Sequence, residues 1–151
     1  MSLRRTPLKR TPMQRPRAKS PTTRKRQRDT GFPDAVKKLI HDRSGRRCEV
    51  RQACHGDAAV QIHHRRPRGA GGSSLAWVNQ AANGLDVCSP CHTFIESARE
   101  YSEAHGWLVS MNKKLRPNEV PVLLVHDLEP LLLSDDGTWS RSTKGVTGND
   151  E

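Results

Sequence analysis

Apolar positions along this chain fall into short, separated runs. From Pro33 to Arg43, Val36, Leu39 and Ile40 recur at helical spacing around Lys37 and Lys38, which predicts a short amphipathic helix. Arg47-Cys48-Glu49-Val50 through Cys54 reads as a compact cysteine-bearing turn. Val60 to His64 is β-prone and leads into an Arg- and Gly-rich loop from Arg65 to Ser74; Leu85-Asp86-Val87 predicts a second short strand. A longer helix is predicted from Ser89, as cap, with Pro90 in its first turn, running to about His105 and stopped by Gly106. Trp107-Leu108-Val109 and Val120 to Val125 are expected as strands. Leu131-Leu132-Leu133, Asp135-Asp136-Gly137 and Trp139 predict a final hairpin.

That pattern leaves little to bury. Hydrophobic residues are 33% and aromatics 4% of the 151 positions, so one modest domain needs support beyond its core. Small domains find it in disulfides or metal. Charge divides the chain further. Arg4, Arg5, Lys9, Arg10, Arg15, Arg17, Lys19, Arg24, Lys25, Arg26 and Arg28 give residues 1–28 a charge of +11 without one acidic side chain, while the remainder stands at −1. With Pro7, Pro12, Pro16 and Pro21 among them, residues 1–30 are expected to be an extended, disordered basic arm. Such an arm suits a polyanion, because neutralising phosphates releases condensed counterions. Nucleic acid is the expected partner rather than a membrane; a solubilising arm is the plain alternative.

No apolar run approaches the length of a membrane span. The basic N-terminus also lacks the apolar segment of a signal peptide. The expected compartment is therefore the cytoplasm, whose reducing conditions make cysteines metal ligands rather than disulfide partners. Cys48 and Cys54 are separated by five residues, and Cys88 and Cys91 by two. Two such pairs form a four-thiolate set suited to structural zinc, the first spacing being wider than usual. His55 adjoins Cys54 but is not needed when four thiolates are present. Four buried free thiols are the alternative.

Between the cysteine pairs lie Ile62-His63-His64-Arg65 and Asn83, and His92 follows Cys91 directly. Adjacent strand residues face opposite ways, so His63 and His64 address different neighbours. From Arg47 to Glu96 the chain resembles the HNH endonucleases (His-Me finger nucleases), particularly their zinc-stapled phage and bacterial members. The resemblance rests on His64, Asn83 and His92 in order within the cysteine frame, ending Asn-Gly-Leu-Asp-Val-Cys-Ser-Pro-Cys-His. It implies an α+β fold: a small ββα-metal core stapled by a four-cysteine zinc site, with an N-terminal helix and a β-rich C-terminal extension. The implied organisation is a basic arm over 1–30, a nuclease domain over 31–105, the extension over 106–141 and a frayed tail over 142–151.

The implied chemistry is metal-dependent hydrolysis of DNA phosphodiesters. His63 and His92 would ligate one catalytic divalent ion, Mg²⁺ or Mn²⁺ in preference to Zn²⁺ or Ni²⁺, and His64 would be the general base. Asn83 would orient His64 or tether the loop between strand and helix. Glu96, four residues after His92, replaces the His or Asn found in many relatives. It is either a third ligand or a solvated helix residue. Arg65, Arg66 and Arg68 would hold phosphates beside the metal, or else belong to a solvated loop. Gly69, Gly71 and Gly72 lack the Lys-Ser/Thr ending of a P-loop. His41, His105 and His126 carry no assigned role. The setting implied is phage or bacterial, with the packaging terminase as the partner suggested by kinship. A zinc module that merely binds nucleic acid would need no base at position 64. A structural zinc protein of a ribonucleoprotein accounts for the arm and the cysteines but not the histidines.

Overall fold

A computed structural model describes residues 31–69, 73–112, 114–124 and 129–146; the basic arm, Gly71, Gly72, His126 and the last five residues lie outside them. Helix α1 (Asp34–Ser44) forms where the apolar spacing predicts it. It ends at Gly45, whose left-handed backbone (φ 59°) lets its N–H reach the His41 carbonyl. Its apolar stripe closes a small cluster in which Ile40 packs with Phe32, Ala81 and Ile62.

Strands β1 (Gln61–His64) and β2 (Gly84–Val87) pair antiparallel, with Ile62 opposite Asp86, His63 opposite Leu85 and His64 opposite Gly84. Glycine at position 84 lets α1 sit on this pair, since a Cβ there would lie 2.4 Å from Ile40 Cδ1. Between the strands, the connection contains two 3₁₀ turns (Ala76–Asn79 and Ala81–Asn83).

After β2 the chain enters α2 (Ser89–Ser97) and α3 (Arg99–Ala104). Sequence predicts one helix here; Ala98, at φ −103° and ψ 60°, breaks it in two. The cap also differs. Cys88 occupies that position in extended backbone, and Ser89 is the first helical residue. Gly106 does end α3, at φ +71°, and a Cβ there would lie 2.0 Å from the Pro121 carbonyl oxygen.

Trp107–Val109 is not a strand. The N–H groups of Trp107 and Leu108 both turn back to the Ser102 carbonyl, and that of Val109 goes to Arg65, so none is left for a ladder. The expected strand from Val120 reduces, among the described residues, to a single bridge between Val122 and Leu131. The final hairpin is present: β3 (Leu131–Leu133) pairs antiparallel with β4 (Trp139–Arg141). The whole is a small α+β fold with two two-stranded antiparallel sheets. Leu108, Val122, Leu131 and Leu133 from the C-terminal segment share one buried cluster with Val50, Leu85, Val87 and Ile95. No helix among the described residues is long and apolar enough to cross a membrane.

Candidate metal centre

Four cysteines, two from the segment before β1 and two from the segment after β2, meet at the end of the strand pair where Gln61 opposes Val87. Cys48, Cys54, Cys88 and Cys91 bring their sulfurs within 4.8 Å of one another, and Cys54 and Cys91 are 3.7 Å apart. A tetrahedral ion with metal–sulfur bonds of about 2.3 Å needs sulfurs roughly 3.8 Å apart, so the cluster can hold a structural metal such as zinc. The first pair spans its wide spacing through Arg51, a non-glycine residue at φ 48°. This turn aims the Arg51 N–H at Cys48 Sγ (3.5 Å) and the Ala53 N–H at Cys91 Sγ (3.3 Å). Burial pushes the Cys88 thiol up to about 11 and raises Cys91 as well. At Cys54 burial acts in the same sense, but hydrogen bonds from the Gly56 and Asp57 backbone and from the Cys88 and Cys91 thiols together lower the thiol. His55 is exposed and stands outside the cluster.

A second group forms on the face of β1 turned toward α2. Ligand atoms of His63, His92 and Glu96 lie within 4.8 Å of one another. His63 Nδ1 is 3.6 Å from Glu96 Oε1, and the His63 and His92 rings meet edge to face at 5.2 Å. His63 Nε2 is buried without a hydrogen-bond partner among the described residues, which native proteins rarely tolerate unless something else binds there. Burial, and next the neighbouring His92, pull the His63 imidazole down to about 3. It is therefore neutral at pH 7 and can donate a lone pair. Gln61 orients the partner: its Oε1 hydrogen-bonds His92 Nδ1, and its Nε2 donates to Ser89 Oγ. That arrangement leaves His92 Nε2 as the ring's ligand atom. Glu96 is half exposed and also pairs with Arg99 at 3.5 Å. The donor set, two imidazoles and a carboxylate with coordination positions to spare, fits a divalent ion.

His64 faces the other way, as alternation on a strand requires. Its ring stacks on Phe32 at 4.0 Å. Nε2 lies 3.2 Å from Asn79 Oδ1, so Nε2–H donates and Nδ1 keeps its lone pair. Burial lowers the His64 pKa, the Asn79 bond opposes this, and Arg68 adds to it. A neutral imidazole with one free acceptor nitrogen can take a proton from water.

Asn83 makes no side-chain hydrogen bond to His64. Fully buried, it accepts from the Arg66 N–H (2.7 Å) and donates to the carbonyls of Arg66 (3.1 Å) and Val78 (2.7 Å). Of the two expected roles it has the tethering one. Asn79, which no sequence motif singles out, is the residue bonded to His64. Only its place one turn before Asn83 could mark it.

The arginines separate sharply. Arg65 cannot hold a phosphate in this fold: it is fully buried, and its guanidinium donates to the carbonyls of Ala82, Gly106, Pro117, Val120 and Pro121 at 2.7–3.4 Å. Burial lowers it to about 9, which still leaves it charged at neutral pH. Arg66 is also engaged, donating to the Met111 and Leu115 carbonyls and lying over the Trp77 ring. Arg68 alone of the three lines a groove beside His64.

His41, without a role in the sequence pattern, hydrogen-bonds through Nδ1 to Asp86 Oδ2 at 2.7 Å. No protein-family model matches the chain, and no curated protein or solved structure matches it.

Proposed function

We propose that this chain is a metal-dependent endonuclease of the HNH type that hydrolyses DNA phosphodiester bonds. The observation that carries this reading is the His63–His92–Glu96 cluster, formed between β1 and α2 around a partnerless buried His63 nitrogen, with His64 next to His63 on β1. In this reading β1, β2 and α2 are the ββα-metal core. His63 and His92 hold the catalytic divalent ion, Glu96 supplies the third protein ligand, and a carboxylate there favours Mg²⁺ or Mn²⁺. Cys48, Cys54, Cys88 and Cys91 hold structural zinc, which anchors the end of β2 and the start of α2.

When bound, the catalytic ion relieves charge on the phosphate and the departing 3′ oxygen. The chain supplies the rest. His64 Nδ1 takes a proton from water as the water oxygen bonds to phosphorus and the bond to the 3′ oxygen breaks; the 3′ oxygen then takes a proton from a second, solvent water. The products carry a 5′ phosphate and a 3′ hydroxyl. Asn79 and Phe32 fix the His64 ring, Gln61 fixes His92, and Asn83 fixes the loop that follows His64. Arg68 and the basic arm, which is outside the described residues, engage DNA phosphates. Packaging beside a terminase is the biological role the family resemblance favours. A module that only binds nucleic acid would leave the orphaned His63 nitrogen and the ordered His64 unexplained.

Cleavage of supercoiled plasmid tests the reading, with wild type and His64→Ala compared in chelator, Mg²⁺ and Mn²⁺. Wild type is expected to cut only with metal, and His64→Ala to lose about 10²–10⁴-fold in rate. Equal cutting by both proteins would remove His64 from the mechanism. DNA binding without cutting would favour the binding module.

A further inference from the structure

The groove between α1 and β1 has chemistry that the hydrolysis step does not use. Its apolar floor includes Phe32 and Ile62, and Lys37, His41, His64 and Arg68 also line it, with no carboxylate among its described lining residues. At about 390 Å³ it is roomy enough for a phosphodiester and its sugars. Behind it sits Asp86, fully buried, whose Oδ2 accepts from Ser44 Oγ at 2.6 Å and pairs with His41 Nδ1 at 2.7 Å. With Nδ1 held there, Nε2 is the His41 atom left for the groove, and the carboxylate behind it fixes the ring's orientation. Arg68 buries its NH1 without a partner among the described residues. Lys37 stands at the rim and is partly spent on Asp34, at 2.9 Å.

We propose that this groove is a phosphate-binding site for the DNA backbone, with His41, positioned by Asp86, and Arg68 as its principal contacts. It deepens the nuclease reading and rests on it for the identity of the ligand: His64, the proposed base, is itself part of the groove's lining. The site is cationic and backed by a buried acid, which suits a single phosphate better than a base edge. The contacts therefore secure register along the strand and carry no sequence preference of their own.

The test is binding of a short DNA duplex to the full-length chain, followed by fluorescence anisotropy over a range of salt without added divalent ion, so that no cleavage is needed. His41→Gln and Arg68→Gln are compared with wild type and with Lys38→Gln, which alters an exposed residue paired with Asp42 outside the groove. Each groove variant is expected to weaken binding about tenfold, and Arg68→Gln to reduce the salt slope by about 0.9. Lys38→Gln should change little. Thermal melts establish that the variants are folded, and Arg68→Gln decides the matter if His41→Gln is not. Groove variants indistinguishable from Lys38→Gln would overturn the proposal. So would histidine ring resonances that respond to inorganic phosphate while duplex affinity stays at wild type, since that marks a site for free phosphate. Loss of duplex binding by the groove variants, in a protein that never cuts DNA, would sustain the groove and reject the nuclease.

Discussion

Arg65, Arg66 and Arg68 stand within one short run of sequence and meet three different fates. The first is buried against five carbonyls, the second is pinned to the Met111–Leu115 loop, and the third faces a groove. Their types are identical, so the difference comes from partners 17 to 56 residues away for Arg65, and no local pattern encodes those. The histidines are more legible. His63, His64 and His92 stand out by their order within the cysteine frame, because metal and proton chemistry demand those residue types. Their supports Gln61 and Asn79 do not, since hydrogen-bonding side chains of this kind occur anywhere on a polar surface. His63 also carries a pH dependence. Burial places its folded pKa at about 3, against roughly 6.5 in the unfolded chain. Between those values the unfolded chain binds a proton that the folded chain does not, so stability rises with pH there, by up to about 1.4 kcal/mol per unit. This effect is absent above about pH 6.5 and grows as pH falls toward 3. Urea midpoints at pH 7 and pH 5, taken without added divalent ion, should therefore fall more for wild type than for His63→Gln. Equal losses would show that His63 is not held neutral by its surroundings.

Short elements are legible where a local signal closes them. Helix α1 has its apolar spacing and Gly45, β1 and β2 have β-prone runs, and the last hairpin has Asp136-Gly137. The failures share one cause. Trp107–Val109 and the run from Val120 are apolar and β-branched enough for strands, but their backbone groups are claimed by α3, Arg65 and a lone bridge to Leu131. The splitting of the second helix at Ala98 likewise has no signal in its residue types. Gly106 is the joint on which this region turns, requiring both a left-handed backbone and the space that a Cβ would take from Pro121. Gly106→Ala is expected to cost on the order of 3 kcal/mol, measured by urea unfolding with zinc content unchanged. A loss below about 0.5 kcal/mol, the scale of an ordinary surface substitution, would show that the α3–Pro121 junction yields easily.

At the scale of the whole molecule, the chain compensates for a thin core by tying distant segments together with polar groups. Arg65 joins the β1 end to Gly106 and to the Pro117–Pro121 segment, while Arg43 grips Glu49 at 2.8 Å and the carbonyls of Ala81 and Gly84. The four cysteines tie the Cys48–Cys54 turn to the start of α2. In the proposed reading the two metals divide their work. Zinc binding is coupled to folding, and the second ion is recruited by a frame that zinc has already set. Two centres on either side of one short helix are possible because Cys91 and His92 are adjacent and point different ways around its axis. In this reading His63, His92 and Glu96 form a divalent-metal centre distinct from the cysteines. Calorimetric titration of Mn²⁺ into the zinc-loaded protein, beside His92→Ala, decides whether they do. Saturable binding of one ion per chain by wild type, lost in His92→Ala while zinc content and melting stay unchanged, is the expected result. Equal binding by both proteins, or none by wild type, would contradict it.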